Sequence, residues 1–555
     1  MNYIFNLGQY QRPTSTKSED ADRWFNRGLL WCYGFNQEEA IRCFQHAIDA
    51  DAEFAMAYWG IAYASGPFYN KPWGWYGDGE RPQVVRHCHQ FAQKALELKN
   101  NASPLEQALI EAIVAKHPLD AAAKDSDYGD WMQAYADAMR AAYEKLPDDL
   151  DVLCLYAEAL MNLTPWKLWK IDSGLPAPGA HTTDIIKLLE RGIEQINQGG
   201  LQPHPGIAHF YIHAIEMSPR PEKALPQANQ LRDLSPDCGH LLHMASHIDS
   251  LCGNWQDASD ANGRGIAADR KYLALRGCNG FYMISVLHNY DFKMWAAMFL
   301  GQFEVALQAA DELCSLVTAD MLTSEQWYLS STLEGFYSSR VHVLVRFGKW
   351  QQICDEPLPQ DTGVYLITTI LLSYAKAIAF AALGDIDSAQ DWQGRFERLY
   401  VRIPDWHVMA NNKTTDILEV ARAMINGEVE YHAGNIEAGF DNLREANRLH
   451  DLLEYAEPWA WMHPPRHALG ALLTAQGELE EALFHYEDDL GIGNRLPRCT
   501  QHPDNIWALH GYHECLTRLG RFEEAIKIKS RLDQLIENAD VTIASSCCCR
   551  LETSA

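Results

Sequence analysis

The chain has 555 residues, with 74 Asp and Glu against 46 Lys and Arg and a formal net charge of −28. That length admits several domains or one long repeat array, and the acidic surplus argues against surfaces built to neutralise nucleic-acid phosphates or anionic lipid. No window approaches about 18 uninterrupted apolar residues and no basic segment leads into an apolar one at the N-terminus, so neither a membrane span nor a secretory signal is expected, and the 14 cysteines read as reduced, mostly buried thiols in a cytoplasmic setting.

In chain order, residues 22–64 predict a helical hairpin and the start of the next. Trp24, Gly28, Leu29 and Tyr33 share the first helix, and a turn follows at Asn36. The second helix carries Ala40, Phe44 and Ala47, and another opens with Phe54, Ala55, Tyr58, Gly60 and Ala62. Residues 65–82 (with Trp73 and Trp75) and 164–182 (with Trp166 and Trp169) predict Gly/Pro/aromatic loops. From Gly253 onward a turn-plus-helix signature recurs, at Gly253–Ala258, Gly301–Ala306, Gly384–Ala389, Gly434–Ala438, Gly477–Ala482 and Gly520–Ala525. Glycine ends one helix in a left-handed conformation, and alanine lets the next pack close. A third aromatic loop, with Trp459 and Trp461, covers 455–467. No β-type alternation competes. The expectation is an all-α solenoid of tetratricopeptide-like helix-turn-helix repeats with inserted aromatic loops, continuous over 1–555, ending in a short disordered tail from about 540.

Residues 203–252 hold the richest chemistry. His209, His213 and Glu216 recur at i, i+4 and i+7, and His240, His243 and His247 at i, i+3 and i+7, so each set shares one helix face. His209 to His243 and His213 to His247 both span 34 positions, the period of the tetratricopeptide repeat. The two sets therefore belong on the first helices of successive repeats, facing each other across one gap on the inner face. Imidazoles with a carboxylate make a transition-metal site by composition. His288 and Asp291, in the segment Tyr282–Asp291, fall on the next inner helix as a further candidate ligand and its partner. Glu457 and Arg466, on the third loop, are candidates for handling an anionic substrate or for stapling the loop. Cys547, Cys548 and Cys549 read as a soft-metal or redox site, or as part of an unstructured tail.

Several motifs together resemble the tetratricopeptide repeat protein 38-like family: Ala57–Pro67, His204–Glu216, Gly239–Ile248, His288-Asn289, Glu457-Pro458 with Pro465-Arg466, Asn505–Leu509, and the cysteine-ending tail. The resemblance runs over nearly the full length and implies the repeat fold more than any chemistry. Members often carry a histidine where this chain has Asp291, and Gly491–Pro503 reads as an insertion.

The reading that follows is a metal-dependent oxidase or oxygenase acting on a small organic molecule. It holds one or two metal ions on His209, His213, Glu216, His240, His243, His247 and His288, with copper first, then iron and zinc. Glu216, Glu457 and Arg466 are its candidate catalytic groups. Two alternatives stand beside it: a scaffold whose groove binds a peptide or protein, and a zinc hydrolase with Glu216 as general base.

Overall fold

The computed structural model describes residues 3–277 and 280–550. The chain is helical throughout most of its length; the strands among the described residues are two short ladders, Trp169–Lys170 with Leu175–Pro176 and Val408–Met409 with Asn412–Lys413. It divides into two compact units, 1–248 with 264–286 and 249–263 with 287–555, where the sequence reading had one continuous array. No described helix is long and apolar enough to cross a membrane.

The first unit opens with the expected hairpin, Glu19–Tyr33 and Gln37–Ala50. Ser18 caps the first helix by accepting from the Ala21 amide, and Asn36 caps the second by accepting from Glu39. Phe35 takes a left-handed φ of 55° to close the turn. The next helix, Ala55–Ser65, packs on Gln37–Ala50. Small residues are needed here because the Phe44 ring fills the space between neighbouring first helices. A Cβ at Gly28 would come within 2.6 Å of that ring, and one at Gly60 within 2.5 Å. Gly60→Ala is therefore expected to destabilise by about 1–3 kcal/mol through overpacking. Gly129, on the exposed side of Ser126–Lys145, meets nothing within 4 Å, so Gly129→Ala should gain up to about 1 kcal/mol of helix propensity. Opposite signs in urea melts of the two variants would confirm the packing argument, and equal effects would refute it.

The second unit contains four successive hairpins: Leu366–Ala382 with Ile386–Tyr400, Thr414–His432 with Ile436–Asp451, Pro465–Gln476 with Leu479–Asp489, and Ile506–Arg518 with Phe522–Asn538. Their turns hold Gly384, Gly434, Gly477 and Gly520 at φ of 82°, 91°, 89° and 75°, the left-handed geometry the sequence called for. First helices stack on one another, Leu366–Ala382 on Thr414–His432 and Pro465–Gln476 on Ile506–Arg518. Tyr486 repeats the Phe44 arrangement: Cβ atoms at Gly470 and Gly511 would meet its ring at 2.5 and 2.3 Å.

The tail departs from its expected disorder as far as residue 550. Ser546 donates to the His467 carbonyl at 2.9 Å, and Arg346 donates to the Ser546 carbonyl at 2.6 Å. Cys549 is wholly buried. Backbone polar groups satisfied by the unit's own side chains hold this segment in place. Residues 551–555 lie outside the described residues.

Candidate metal centre

The centre is built on the helix Pro205–Ile215, every residue of which is buried. His204 is its N-cap, its Nδ1 accepting from the Ile207 amide at 3.2 Å, and Pro205 occupies the first turn, where no N–H is required. Gly206 allows close approach, since a Cβ there would meet the Tyr33 ring at 2.6 Å and the Cys154 sulfur at 2.7 Å. His209 and His213 then stand one turn apart on one face. After the intervening helix Leu225–Leu234 the chain returns as Gly239–His243, turns at Met244, and continues as Ala245–Leu251. These are successive first helices, as the 34-residue spacing required.

The imidazoles meet with a stagger that spacing alone does not show. His209 Nε2 lies 3.1 Å from His240 Nε2, so its partner is His240 rather than the repeat-equivalent His243. His213 and His247 do face each other, with ring centroids 5.7 Å apart. His243 and His247 approach to 2.8 Å through their Nε2 atoms. One ring nitrogen each from His209, His213 and His240 fall together, all within 4.8 Å of one another.

Glu216 sits behind these rings. Its Oε1 accepts from His213 Nδ1 at 3.0 Å and its Oε2 from His247 Nδ1 at 2.9 Å. His209 Nδ1 likewise donates to the Tyr33 carbonyl at 2.6 Å. Each of these bonds fixes a tautomer with the proton on Nδ1 and the lone pair on Nε2. Glu216 therefore orients imidazoles through both its oxygens. It does not stand free as a general base, and the zinc-hydrolase alternative loses the group it relied on.

Aromatic rings from three segments wall the cluster. Phe35, placed by its left-handed turn, lies 4.5 Å from His209 and 5.4 Å from His240, centroid to centroid. Tyr69 and Trp166, from the first two aromatic loops, lie 5.2 and 5.4 Å from His213. Burial is complete: the five histidines are 0–2% exposed and Glu216 is 0% exposed. It pushes the His209, His213 and His240 imidazoles well below their ordinary range, with neighbouring histidines adding to the effect, so they are neutral near pH 7. Burial also raises Glu216, while the bond from His247 opposes the rise.

The other sequence candidates belong to the second unit. His288 lies on Tyr282–Phe299, its ring 5.8 Å from Phe292 and 6.4 Å from Phe336. Asp291, its supposed partner, is pushed up to about 7 by burial, a bond with Ser339 opposing. Arg466 donates to both oxygens of Asp451, at 2.9 and 2.7 Å, and is 2% exposed. This is a staple on Pro465–Gln476 rather than an open anion site. Glu457 accepts from the Tyr455 hydroxyl on the same loop.

Two buried networks escaped the sequence reading. In the first unit, Asp151 accepts from Tyr33 at 2.5 Å and from His204 Nε2 at 3.2 Å, and pairs with Arg12 at 3.2 Å. In the second, Asp489 bonds His467 Nε2 at 2.7 Å, His502 Nδ1 at 2.8 Å and Asn505 at 2.8 Å. Both aspartates sit in acidic stretches that look like solvated helix ends, so no local signal marked them.

No family profile and no curated protein matches the chain. Among solved structures, Ypp1 is similar over 96% of this chain and 89% of its own, at 11% identity and a TM-score of 0.39. Yeast Tom70 covers 94% and 93%, at 10% identity and 0.27. The APC/C hetero-tetramer Cut9–Hcn1 covers 95% and 88%, at 13% identity and 0.29. The expectation of a copper-favoured oxidase acting on a small organic molecule is corrected here. At these identities the likenesses carry no catalytic role to the chain. Within the chain, Glu216 is committed to orienting imidazoles and Arg466 to Asp451. The left-handed glycine turns, stacked first helices and ring-filled glycine gaps make this chain a tetratricopeptide-like helical-repeat protein.

Proposed function

We propose that the chain is a helical-repeat scaffold that holds an extended, basic segment of a partner protein. The observation that carries this reading is the run of four stacked hairpins in the second unit, in a chain whose charge is −28. Stacked helix pairs make long continuous surfaces with no need of a deep pocket. An acidic surface favours a basic partner and speeds its encounter. Apolar anchors are present as well: Trp406 and Leu452, just beyond the second helices of two successive hairpins, are 53% and 67% exposed. Large side chains of this kind supply much of the energy of small interfaces. The motifs resembling the tetratricopeptide repeat protein 38-like family and the thirteen described cysteines, all free thiols, support a cytoplasmic member of that family.

The test is fluorescence anisotropy with labelled peptides of matched hydropathy and opposite charge, at low and high salt. Lys/Arg-rich peptides should bind, weaken with salt, and lose about tenfold in affinity, or 1.4 kcal/mol, with Trp406→Ala/Leu452→Ala. Equal binding of acidic and basic peptides, or none of either, would sink the proposal.

A further inference from the structure

We infer that His209, His213 and His240 form a zinc site that pins the helix Pro205–Ile215 to Gly239–His243 in the first unit. The case starts from hydrogen bonding. His209 Nδ1 is committed to the Tyr33 carbonyl and His213 Nδ1 to Glu216. Their Nε2 atoms therefore carry lone pairs, in a place shielded from bulk solvent. His213 Nε2 and His240 Nδ1 have no hydrogen-bond partner among the described residues. A buried polar atom left unsatisfied costs about 1–3 kcal/mol, and folds seldom retain such atoms without a use.

An ion bound by the three Nε2 atoms takes up the His209 and His213 lone pairs at once, and His240 then carries its proton on Nδ1. Three neutral imidazoles are a known tetrahedral zinc set, with the fourth position left to water or another group. Bonds of about 2.0–2.1 Å put neighbouring ligand nitrogens about 3.3 Å apart in a tetrahedron. His209 and His240 already stand at 3.1 Å through Nε2, and one nitrogen from each of the three rings lies within 4.8 Å of the other two. A small closure of His213 completes the set. The outer contacts also match. Ligating histidines characteristically donate their other N–H to a carboxylate or backbone carbonyl, as His213 does to Glu216 and His209 to Tyr33. A purely packing role for the rings requires neither the shared carboxylate nor the convergence of lone pairs. Absence of thiolate and carboxylate from the inner set favours a borderline ion such as zinc over calcium or magnesium.

Glu216 is on this account a positioning residue. In Glu216→Gln the amide turns an N–H toward one of the two Nδ1–H groups it now accepts from. One ring must then change tautomer and lose its Nε2 lone pair.

The experiment uses the full chain without a metal-binding tag, stripped with chelator, then titrated with zinc against a chromophoric competitor and separately with cobalt(II). Expected is one zinc equivalent bound tightly, with the visible bands of tetrahedral cobalt. That equivalent should vanish in His213→Ala and in His240→Ala. It should weaken about 10–100-fold in Glu216→Gln, and persist in His46→Ala, an exposed control. Far-UV circular dichroism confirms that each variant is folded. The inference is overturned if the folded parent binds no zinc, or if His213→Ala/His240→Ala binds it as the parent does. Peptide binding by the second unit is read separately, so failure of this site leaves the scaffold reading where it stood.

Discussion

Asp151→Ala is expected to cost the first unit about 3 kcal/mol, because it leaves a buried guanidinium with only Asp149, 4.0 Å away, as counter-charge. Asp151 is 3% exposed and Arg12 7%. Burial alone would raise the Asp151 carboxyl, but Arg12, with His204 and Tyr33, holds it well below the usual range. The four groups come from four segments: the N-terminal stretch, the end of Glu19–Tyr33, the start of Leu150–Met161 and the cap of Pro205–Ile215. Removing the carboxylate leaves Arg12 only its longer pair with Asp149 and frees the two donors that meet it, on Tyr33 and His204. Replacing both charges is less harmful than replacing one, since a buried pair gives little net stability over an apolar substitute. Arg12→Met/Asp151→Leu should therefore be more stable than Asp151→Leu alone. Hydrogen exchange of amides in Leu150–Met161 and Pro205–Ile215 reads this unit specifically. If the single variant lies within about 1 kcal/mol of the parent, or the double equals the sum of the singles, the network is not a coupled one.

Asp151 also marks the boundary of what the sequence shows. Turns were legible because Gly384, Gly434, Gly477 and Gly520 each need a left-handed φ that other residues resist. Gly28, Phe44 and Gly60 were legible as members of three successive helices, but not that the Phe44 ring fills the gap between the two glycines. The histidine rows could be placed because both sets share one helix face and the repeat period links them. Their stagger could not, because it depends on the helix break at Met244 and on the turn that swings Phe35 over the rings. Nor could the role of Glu216. At i+7 from His209 it shares that face, but a face does not say whether a carboxylate stands among ligands or behind them. Asp151 and Asp489 were hidden for a related reason. A helix-end acid that caps or faces water and one that closes a buried network read alike until the distant donors are placed, and Arg12 lies 139 positions from Asp151. The tail was misread because its anchors, Arg346, His467 and Tyr486, are equally remote.

Two single substitutions in the second unit should bend its pH–stability profile in opposite directions. His342 is 2% exposed and burial lowers its imidazole to about 3, against an ordinary value near 6.5. Between those values the unfolded chain binds a proton that the folded chain refuses, so His342 removes stability as the pH falls below about 6.5. From pH 7 to 5 that loss is about 2 kcal/mol, since one pKa unit corresponds to about 1.4 kcal/mol. His342→Phe keeps the ring contact with Trp461, now 4.7 Å away, and deletes the titration. Relative to the parent it should gain about 2 kcal/mol over the same interval. Asp291 works the other way. Burial raises its carboxyl to about 7, with Ser339 opposing, so the folded chain keeps a proton that the unfolded chain has lost. Its contribution is fully present below pH 4 and disappears as the pH rises through 7. Asp291→Asn deletes that gain, and should lose about 2 kcal/mol relative to the parent between pH 7 and 5. The parent's own slope mixes both terms with those of other buried groups, so the differences are the quantities to measure. Urea midpoints of the three proteins at pH 7, 6 and 5 supply them. Parallel lines would mean that neither group is buried as the structure has it. Divergence of equal sign would mean that one of the two changes protonation in the opposite sense.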